Sequence, residues 1–289
     1  MAIREEWCVG EVRVVRLAEL EVRVPSSAFF GEHAVAPADW LRPHWQTPDG
    51  RLGWSVHAFL IEERGQRMVV DTCLGNDKVR RNPFFNGRTG PFLAELCELG
   101  FAPDSVERVL CTHLHFDHVG WNTRRVDGEW IPTFPNARYW LTRAEWEHAN
   151  AQPNEPGEDP LGDSVRPLFA AGLVDLVETD VRVSDAVSLE PTLGHTPGHV
   201  AVRIRSQGEE AVITGDLLHH PAQIGTPELA TTLDWDAELA FRTRRAFVSA
   251  HANRRVLVLG THFSTPAGGW IVASEAGHRF VPATQESDT

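Results

Sequence analysis

Three histidines and an aspartate crowd the six residues from His113 to His118, within the segment THLHFDHVG. Imidazole and carboxylate groups are ligands that zinc, iron and related divalent ions accept. A short loop that follows a strand can point several such side chains to one place. By itself, the segment is compatible with a polar surface loop, a structural zinc clip or a reaction centre.

A second set of potential ligands lies far along the chain, in the motifs GHTPGH, TGD and GTHF. The candidate ligands of both sets are His113, His115, Asp117, His118, His199, Asp216 and His262. A structural zinc site needs one tetrahedral set of ligands and usually includes cysteine. Five histidines and two aspartates exceed that need. They match a pair of metal ions that share a bridging carboxylate and leave a position open for water.

Short apolar segments that predict buried strands lead into three of these ligands. VERVLCTH ends at His113, EEAVITGD ends at Asp216, and RVLVLGTH ends at His262. Another predicted strand begins directly after His199. Because α/β proteins build their sites on loops beyond strand ends, we expect these ligands to meet at one sheet edge.

The rest of the sequence alternates strands with helices. HAFLIEE and QRMVVDT predict a hairpin that turns at Arg64 and Gly65. PFLAELCELG predicts a helix closed by Gly100. ARYWLTRAEWEHAN predicts a strand and then a helix capped by Thr142, and a later amphipathic helix begins at Asp236. The pattern is strand-rich with helices interposed.

The length of 289 residues allows one large domain or two small ones. We expect a single domain over residues 1–289, with a frayed tail over residues 281–289. Hydrophobic residues make up 42% and charged residues 23% of the chain, which is ordinary. No apolar run is long enough for a transmembrane helix, and the N-terminus does not resemble a secretory signal. A net charge of −13 repels phosphate, so we expect neither nucleic acid nor membrane as a partner. Four cysteines without CxxC spacing predict free thiols in a reducing cytoplasm.

In their order, THLHFDH, GHTPGH, TGD and GTH resemble the motifs of the metallo-β-lactamase-fold hydrolases, whose loop has the form HxHxDH. The resemblance implies an α+β fold, a four-layer αββα sandwich with metals at one edge. It also implies two divalent metal ions per chain, with zinc as the first choice and manganese, iron or cobalt as alternatives. The implied ligands are His113, His115 and His199 for one ion, Asp117, His118 and His262 for the other, and Asp216 as the bridge. Asp71, at the end of MVVD, matches a supporting aspartate of the family.

Within this family, the intact loop argues against the typical zinc β-lactamases, which use a cysteine at the position of Asp216. The length leaves no room for the added domains of the nucleases and the diiron oxygen reductases. His219 resembles a histidine of the methyl parathion hydrolase subgroup, where several N-acyl-homoserine lactonases have tyrosine. The resemblance therefore favours a hydrolase that cleaves a lactone, ester or phosphotriester bond.

The expected nucleophile is a metal-bridging hydroxide, because a bound divalent metal lowers the pKa of water towards about 7. The predicted catalytic residues are Asp117, Asp216 and His219, and Asp117 can orient the hydroxide and carry its proton. His195 is expected to form a structural hydrogen bond, since His199 already fills the role of ligand.

Aromatic residues in loops indicate the kind of substrate. Those expected to rim the site are Phe29, Phe30, Phe84, Phe85 and Trp121. They favour a small molecule with an apolar acyl or aryl group. His219 and His220 are further candidates for substrate contact, with a buried structural role as the alternative. A homodimer is expected only by analogy with similar enzymes.

Other functions are compatible with the same motifs. A glyoxalase-II-like thioesterase or a persulfide dioxygenase with one iron ion would use the same fold, and metal content with oxygen uptake would separate them. A non-catalytic binding protein could keep the ligands for stability alone. The intact Asp117 argues against that last function, because a purely structural site has little use for a proton carrier.

Overall fold

Strands and short helices alternate along the part of the chain that this computed structural model describes, which is residues 4–33, 35–153, 157–275 and 277–283. The strands are β1 (Arg4–Val9), β2 (Val12–Val24), β3 (Leu52–Glu63), β4 (Gln66–Val70), β5 (Arg108–Leu110), β6 (Thr123–Val126), β7 (Glu129–Pro132), β8 (Arg138–Thr142), β9 (Val174–Val177), β10 (Val187–Pro191), β11 (Val200–Ser206), β12 (Glu209–Ile213), β13 (Val256–Leu259), β14 (Gly268–Ser274) and β15 (Gly277–Pro282). The α-helices are α1 (Ser27–Phe30), α2 (Phe92–Glu98), α3 (Phe116–Val119), α4 (Arg143–Ala151), α5 (Pro160–Ser164), α6 (Arg166–Ala170), α7 (Ala222–Gly225) and α8 (Ala237–His251).

The chain divides into two units, each with its own sheet. The first unit comprises Met1–Glu19 and Val56–Val181. The second unit comprises Leu20–Ser55 and Arg182–Thr289. Two of the three divisions fall inside the long strands β2 and β3, and the third lies between β9 and β10.

The sheet of the first unit has the strand order β1-β2-β3-β4-β5-β8-β9. β4, β5, β8 and β9 run parallel to one another, and their apolar side chains are mostly buried. Buried parallel strands need helices on their faces, and α4 packs against β8 and β9. The hydroxyl of Thr142 accepts a hydrogen bond from the N–H of Glu145, which confirms the predicted strand, cap and helix.

The hairpin and the helix predicted earlier in this unit are also confirmed. β3 pairs antiparallel with β4 through a turn at Arg64 and Gly65, both of which have positive φ. α2 ends at Glu98, and Gly100 follows with a φ of 87°. Glycine adopts that left-handed conformation without a steric penalty, so it closes the helix.

The sheet of the second unit has the strand order β10-β11-β12-β13-β14-β15. β12 and β13 are parallel, and the other neighbours are antiparallel. α8 packs against β14. The side chain of Asp236 accepts a hydrogen bond from the N–H of Leu239, which confirms the predicted start of α8.

The predicted frayed tail is wrong where it can be compared. Val281 and Pro282 belong to β15 and pair with Trp270 and Gly269 of β14. Residues 284–289 lie outside the described part of the chain. Among the described residues, no helix combines the length and the apolar character that crossing a membrane requires.

Three strands end at the same distance from a candidate ligand. β5, β12 and β13 each end three residues before His113, Asp216 and His262, respectively. β11 begins directly after His199. The prediction that these residues occupy loops beyond strand ends is confirmed.

Gly120, at the end of the HxHxDH loop, lets two segments of the first unit pass closely. Its N–H donates a hydrogen bond to the carbonyl of Cys73, and a Cβ atom here would overlap the carbonyl of Leu74. The φ of Gly120 is −57°, which any residue adopts, so the requirement is for space. Glycine at this position keeps the loop against the segment that follows β4.

We expect Gly120→Ala to destabilise the metal-free protein by about 1–3 kcal/mol or more, because rigid main chain must move to admit the methyl group. Urea denaturation of the EDTA-treated protein measures the effect. Gly90→Ala is the matched control, since a Cβ there would meet nothing closer than 3.9 Å. Equal stabilities of the two variants would contradict the steric argument.

Candidate metal centre

Asp71 organises the histidine loop of the first unit. It follows β4 directly, and its Oδ1 accepts the N–H of Thr112 at 2.8 Å. Its Oδ2 accepts the hydroxyl of Thr112 at 2.8 Å and Nδ1 of His118 at 2.9 Å. His118 therefore carries its hydrogen on Nδ1 and presents Nε2 as the nitrogen with a lone pair. The carboxylate supports the loop, as the family resemblance implies.

His113 and His115 approach each other at the start of the same loop. The Thr112 hydroxyl gives its hydrogen to Asp71, so it accepts from Nδ1 of His113 at 3.1 Å. The remaining nitrogen of His113, Nε2, lies 3.0 Å from Nδ1 of His115. Two ring nitrogens at this separation can bind one cation between them.

Asp117 and His118 follow in the short helix α3, for which His115 is the N-cap residue. Nε2 of His118 lies 3.8 Å from Oδ1 of Asp117, and both side chains are largely buried. The loop thus brings its three histidines and its aspartate together within the first unit, as the spacing predicts.

In the second unit, three imidazoles surround the carboxylate of Asp216. This aspartate lies in a 3-10 turn, Gly215–Leu217, just after β12. Nε2 of His262 is 3.1 Å from Oδ1, and Nε2 of His219 is 3.1 Å from Oδ2. Nε2 of His195 is 3.3 Å from the same Oδ2. All four side chains are buried.

Hydrogen bonds on the far side of two of these rings define which nitrogen carries the hydrogen. Nδ1 of His262 donates to the carbonyl of Ser55 at 2.7 Å. Nδ1 of His195 donates to Oδ1 of Asp234 at 3.0 Å. Nε2 of each ring therefore faces an oxygen of Asp216. This arrangement suits a cation between the ring nitrogen and the carboxylate, and histidine ligands of metals commonly have this second hydrogen bond. The residues fit a divalent metal ion.

The structure exchanges the roles predicted for the two histidines of GHTPGH. Nε2 of His199 accepts the N–H of Asp216 at 2.8 Å, and its Nδ1 donates to the carbonyl of Thr192 at 3.0 Å. Both ring nitrogens are engaged with main chain, so the prediction of His199 as a metal ligand is wrong. His199 instead holds the turn that carries Asp216. His195, predicted to have only a structural hydrogen bond, faces that carboxylate.

His219 and His220 are adjacent in sequence but have different surroundings. Burial lowers the pKa of His219 despite the opposing effect of Asp216, which favours the neutral ring. Nε2 of His220 donates to the carbonyl of Trp45, and its Nδ1 accepts from the N–H of Ala222. His220 is therefore a structural residue and not a substrate contact. Burial also lowers the pKa of His220, to about 4.

Two of the five predicted rim aromatics belong to the core of their unit. Phe30 is 1% exposed, and Trp121 is 4% exposed and stacks on Phe92. Phe84 is 48% exposed and contacts Phe85 edge to face. Phe85 in turn packs on Phe116, the residue between His115 and Asp117. An aromatic series thus leads from the surface of the first unit to the histidine loop.

Asp234 is a polar contact that sequence patterns did not single out. Its carboxylate is buried between His195 and Arg244. Burial disfavours its charged form, but the hydrogen bond from His195 and the charge of Arg244 lower the pKa of Asp234 to about 2. In the sequence it lies between the apolar residues Leu233 and Trp235, a setting that does not reveal which way its side chain points.

Comparison with known proteins identifies the class to which this fold and these motifs belong. Residues 51–262 match the family model of the metallo-beta-lactamase superfamily. The chain is a member of that superfamily. The predicted α+β class and metallo-β-lactamase fold are confirmed.

Particular relatives include an N-acyl homoserine lactonase of Bacillus sp, which is 28% identical over 179 residues. The match covers 58% of this chain and 65% of that relative, so the chain spans a little less than two thirds of the relative's length. A probable metallo-hydrolase of Mycobacterium tuberculosis is 26% identical over 196 residues, which is 57% of each chain.

Solved structures show the same fold over almost the whole chain. AidC, described as a dizinc quorum-quenching lactonase with a bound homoserine product, has a TM-score of 0.79 at 19% identity. The alignment covers 98% of both chains. The hydrolase AbOPH has a TM-score of 0.77 at 23% identity, again over 98% of both chains. At these identities, the likeness concerns the fold alone.

The exchanged roles of the two GHTPGH histidines generate a direct test. We expect His195→Gln to lose one of the metal ions bound by the wild-type protein, because its Nε2 faces Asp216. We expect His199→Gln to retain the metal content, since an amide can replace the two main-chain hydrogen bonds. Elemental analysis of metal-loaded, desalted protein measures both. Loss of metal from His199→Gln alone would contradict the exchange.

His220 generates a prediction about acid stability. Its folded-state pKa of about 4 lies below the ordinary 6.5, so the unfolded chain binds the extra proton first as pH falls. The contribution of His220 to the free energy of unfolding is complete above pH 6.5 and is lost as pH falls through 6.5 towards 4. We expect this contribution to lower the free energy of unfolding of the wild type by about 2–3 kcal/mol over this range, and His220→Gln to lack that decrease. Urea titrations of metal-free protein measure it.

The exposed His33 of the same unit provides the control for that experiment. His33→Gln removes a histidine without removing a buried ring, so its acid destabilisation should equal that of the wild type. If His220→Gln also follows the wild type, the buried ring does not contribute to the acid sensitivity.

Proposed function

We propose that this chain is a dinuclear metal-dependent hydrolase that opens a lactone or cleaves a related ester bond, with zinc as its metal. Membership of the metallo-beta-lactamase superfamily supports the metal-dependent chemistry. The relatives named N-acyl homoserine lactonase support the lactone or ester substrate. The donor set, which consists of imidazole and carboxylate groups, suits zinc and also accepts manganese, iron or cobalt.

The observation that carries this proposal is the orientation of three buried rings. His118, His195 and His262 each have Nδ1 bound to an oxygen and Nε2 directed at a carboxylate. The arrangement suits a ligand that is held ready for a cation.

The proposed ligands are the imidazole and carboxylate groups of the motifs. They are His113, His115 and His195 for one ion, Asp117, His118 and His262 for the other, and Asp216 as a ligand to both. The order of these motifs along the chain and the superfamily membership support this grouping. His195 takes the place that sequence reasoning gave to His199.

A pair of bound divalent ions would supply an activated hydroxide near neutral pH and a positive charge next to the substrate oxygen. Asp117 is the proposed proton carrier, because its carboxylate lies in the loop and keeps 13% of its side chain exposed. His219 is neutral and buried, so it can donate a hydrogen bond to an oxygen that gains negative charge. Its position three residues after Asp216 supports the role of substrate contact.

The proposed substrate is a small molecule with an apolar acyl or aryl group. The series Phe84, Phe85 and Phe116 supports this, because the rings contact one another at centroid distances of 5.1 and 5.3 Å. Apolar rings with one exposed end provide the surface that an acyl chain can cover. Phosphotriesters are a second candidate, favoured by the histidine at position 219 where several lactonases have tyrosine.

A substrate panel tests the proposed function. We expect zinc-loaded protein to hydrolyse a lactone or an aryl ester, and Asp216→Ala to reduce the rate about 1000-fold or more. Loss of a metal-held charge removes several kcal/mol of transition-state stabilisation, which corresponds to that factor. Titration of the released acid at constant pH measures lactones, esters, phosphotriesters and β-lactams on one scale. Asp185→Ala is the matched control, since this aspartate of the second unit is 75% exposed.

Other results would identify the competing functions. One iron ion per chain with oxygen uptake on a persulfide would indicate a dioxygenase, and a preference for glutathione thioesters would indicate a glyoxalase-II-like enzyme. Full metal loading without turnover of any substrate in the panel, together with metal-dependent stability, would favour a binding protein.

The remaining predictions belong to the same proposal. One functional domain over residues 1–289 is part of the proposal, and the continuous match to the family model over residues 51–262 supports it. The four cysteines are unpaired thiols, which supports a cytoplasmic location. The homodimer stays a prediction by analogy.

A further inference from the structure

A buried carboxylate lies in the segment that leads into α8. The side chain of Asp234 has no exposed surface, whereas its neighbours Leu233 and Trp235 are 57% and 55% exposed. Charged side chains usually lie at the surface and apolar side chains in the interior, and this segment has the opposite arrangement. The cost of burying a charge is offset only where that charge has partners, so the partners of Asp234 explain its orientation.

Three groups hold this carboxylate. Oδ1 lies 3.0 Å from Nδ1 of His195, and Oδ2 accepts the N–H of Thr231 at 3.2 Å. Nη2 of Arg244 donates to the same Oδ2 at 3.4 Å. Arg244 is itself buried and donates to the carbonyl of Leu217, the residue after Asp216. The ion pair is therefore attached both to the His195 ring and to the turn that carries Asp216.

The main chain reinforces this arrangement. The N–H of Trp235 donates to the carbonyl of His195 at 2.9 Å, and the N–H of Asp236 donates to the carbonyl of Gly194 at 3.0 Å. A Cβ atom on Gly194 would overlap the main chain of Ala240 in α8, so the turn and the helix are in close contact. The carboxylate consequently has little freedom to move relative to His195.

We propose that Asp234 is a positioning residue that fixes His195 as the tautomer with hydrogen on Nδ1, which leaves Nε2 to bind a metal ion. The inference rests on the proposed function and adds a residue that none of the sequence motifs contains. Carboxylates that accept from the second nitrogen of a ligand histidine set both the tautomer and the orientation of the ring. Arg244 holds the carboxylate in place and ties it to the Asp216 turn.

Asp234→Asn makes the inference testable because the amide has a single acceptor oxygen. Arg244 and the N–H of Thr231 cannot give up their hydrogens, so they retain that oxygen. The amide N–H₂ then faces His195, whose Nδ1 must accept. We expect the hydrogen of His195 to move to Nε2, the nitrogen that would have to bind the metal.

Long-range ¹H–¹⁵N spectra of the metal-free protein, recorded at a pH at which the His195 ring carries one hydrogen, report this change without any enzyme activity. The His195 signals are assigned by their loss in His195→Ala. We expect the Nδ1–H tautomer in the wild type and the Nε2–H tautomer in Asp234→Asn. Glu228→Gln is the matched control, since it converts an exposed carboxylate of the same unit to an amide. An Nε2–H tautomer in the wild type would overturn the proposal even if Asp234→Asn does not fold.

Competition with a chromophoric chelator measures the consequence for metal affinity. We expect Asp234→Asn to weaken one of the two sites by about 10- to 100-fold. The affinity of the other site should change little, because Asp234 contacts only His195 among the proposed ligands. An equal weakening of both sites would show a merely structural role and would overturn the proposal. If the wild type binds two ions but hydrolyses nothing, the proposed function fails while these results still decide the role of Asp234.

Discussion

The placement of the hydrogen on three buried histidines is the constraint on which the candidate site depends. Neutral imidazole has one N–H and one lone pair, so an acceptor near Nδ1 decides that Nε2 is available. The acceptors for His118, His195 and His262 are Asp71, Asp234 and the carbonyl of Ser55, respectively. These partners are 47, 39 and 207 residues away in sequence. The tautomers are therefore a product of the folded chain.

The strand arrangement within each unit fixes the positions of the polar groups. In the first unit, β4 and β5 are parallel neighbours, so Asp71 at the end of one reaches Thr112 beyond the end of the other. In the second unit, β12 and β13 are parallel neighbours, which places Asp216 next to His262. Parallel pairing brings the carboxyl ends of strands to the same edge, and the ligand loops begin there.

Several of the strands, turns and helices that carry these residues were predictable from the sequence. The buried strands that lead to His113, Asp216 and His262, the hairpin at Arg64 and the capped helix after Thr142 all follow from apolar periodicity and turn chemistry, and the structure confirms them. These features are local, because hydrogen bonds and side-chain patterns within a few residues determine them. The same reasoning could not place Trp121, whose burial depends on stacking with Phe92.

The sequence alone determined the kinds of candidate ligand, their order and the strand ends near which they lie, since composition and spacing are properties of the chain itself. Tertiary structure decided which histidine of GHTPGH faces Asp216. His195 and His199 are four residues apart in one turn, and only the folded main chain shows that the N–H of Asp216 and the carbonyl of Thr192 engage the second ring. Tertiary structure also turned Asp234 inward, because its partners His195 and Arg244 come from other segments. These orientations depend on hydrogen-bond partners that are distant in sequence, and the spacing of residues along the chain does not indicate which partner each nitrogen or oxygen will have.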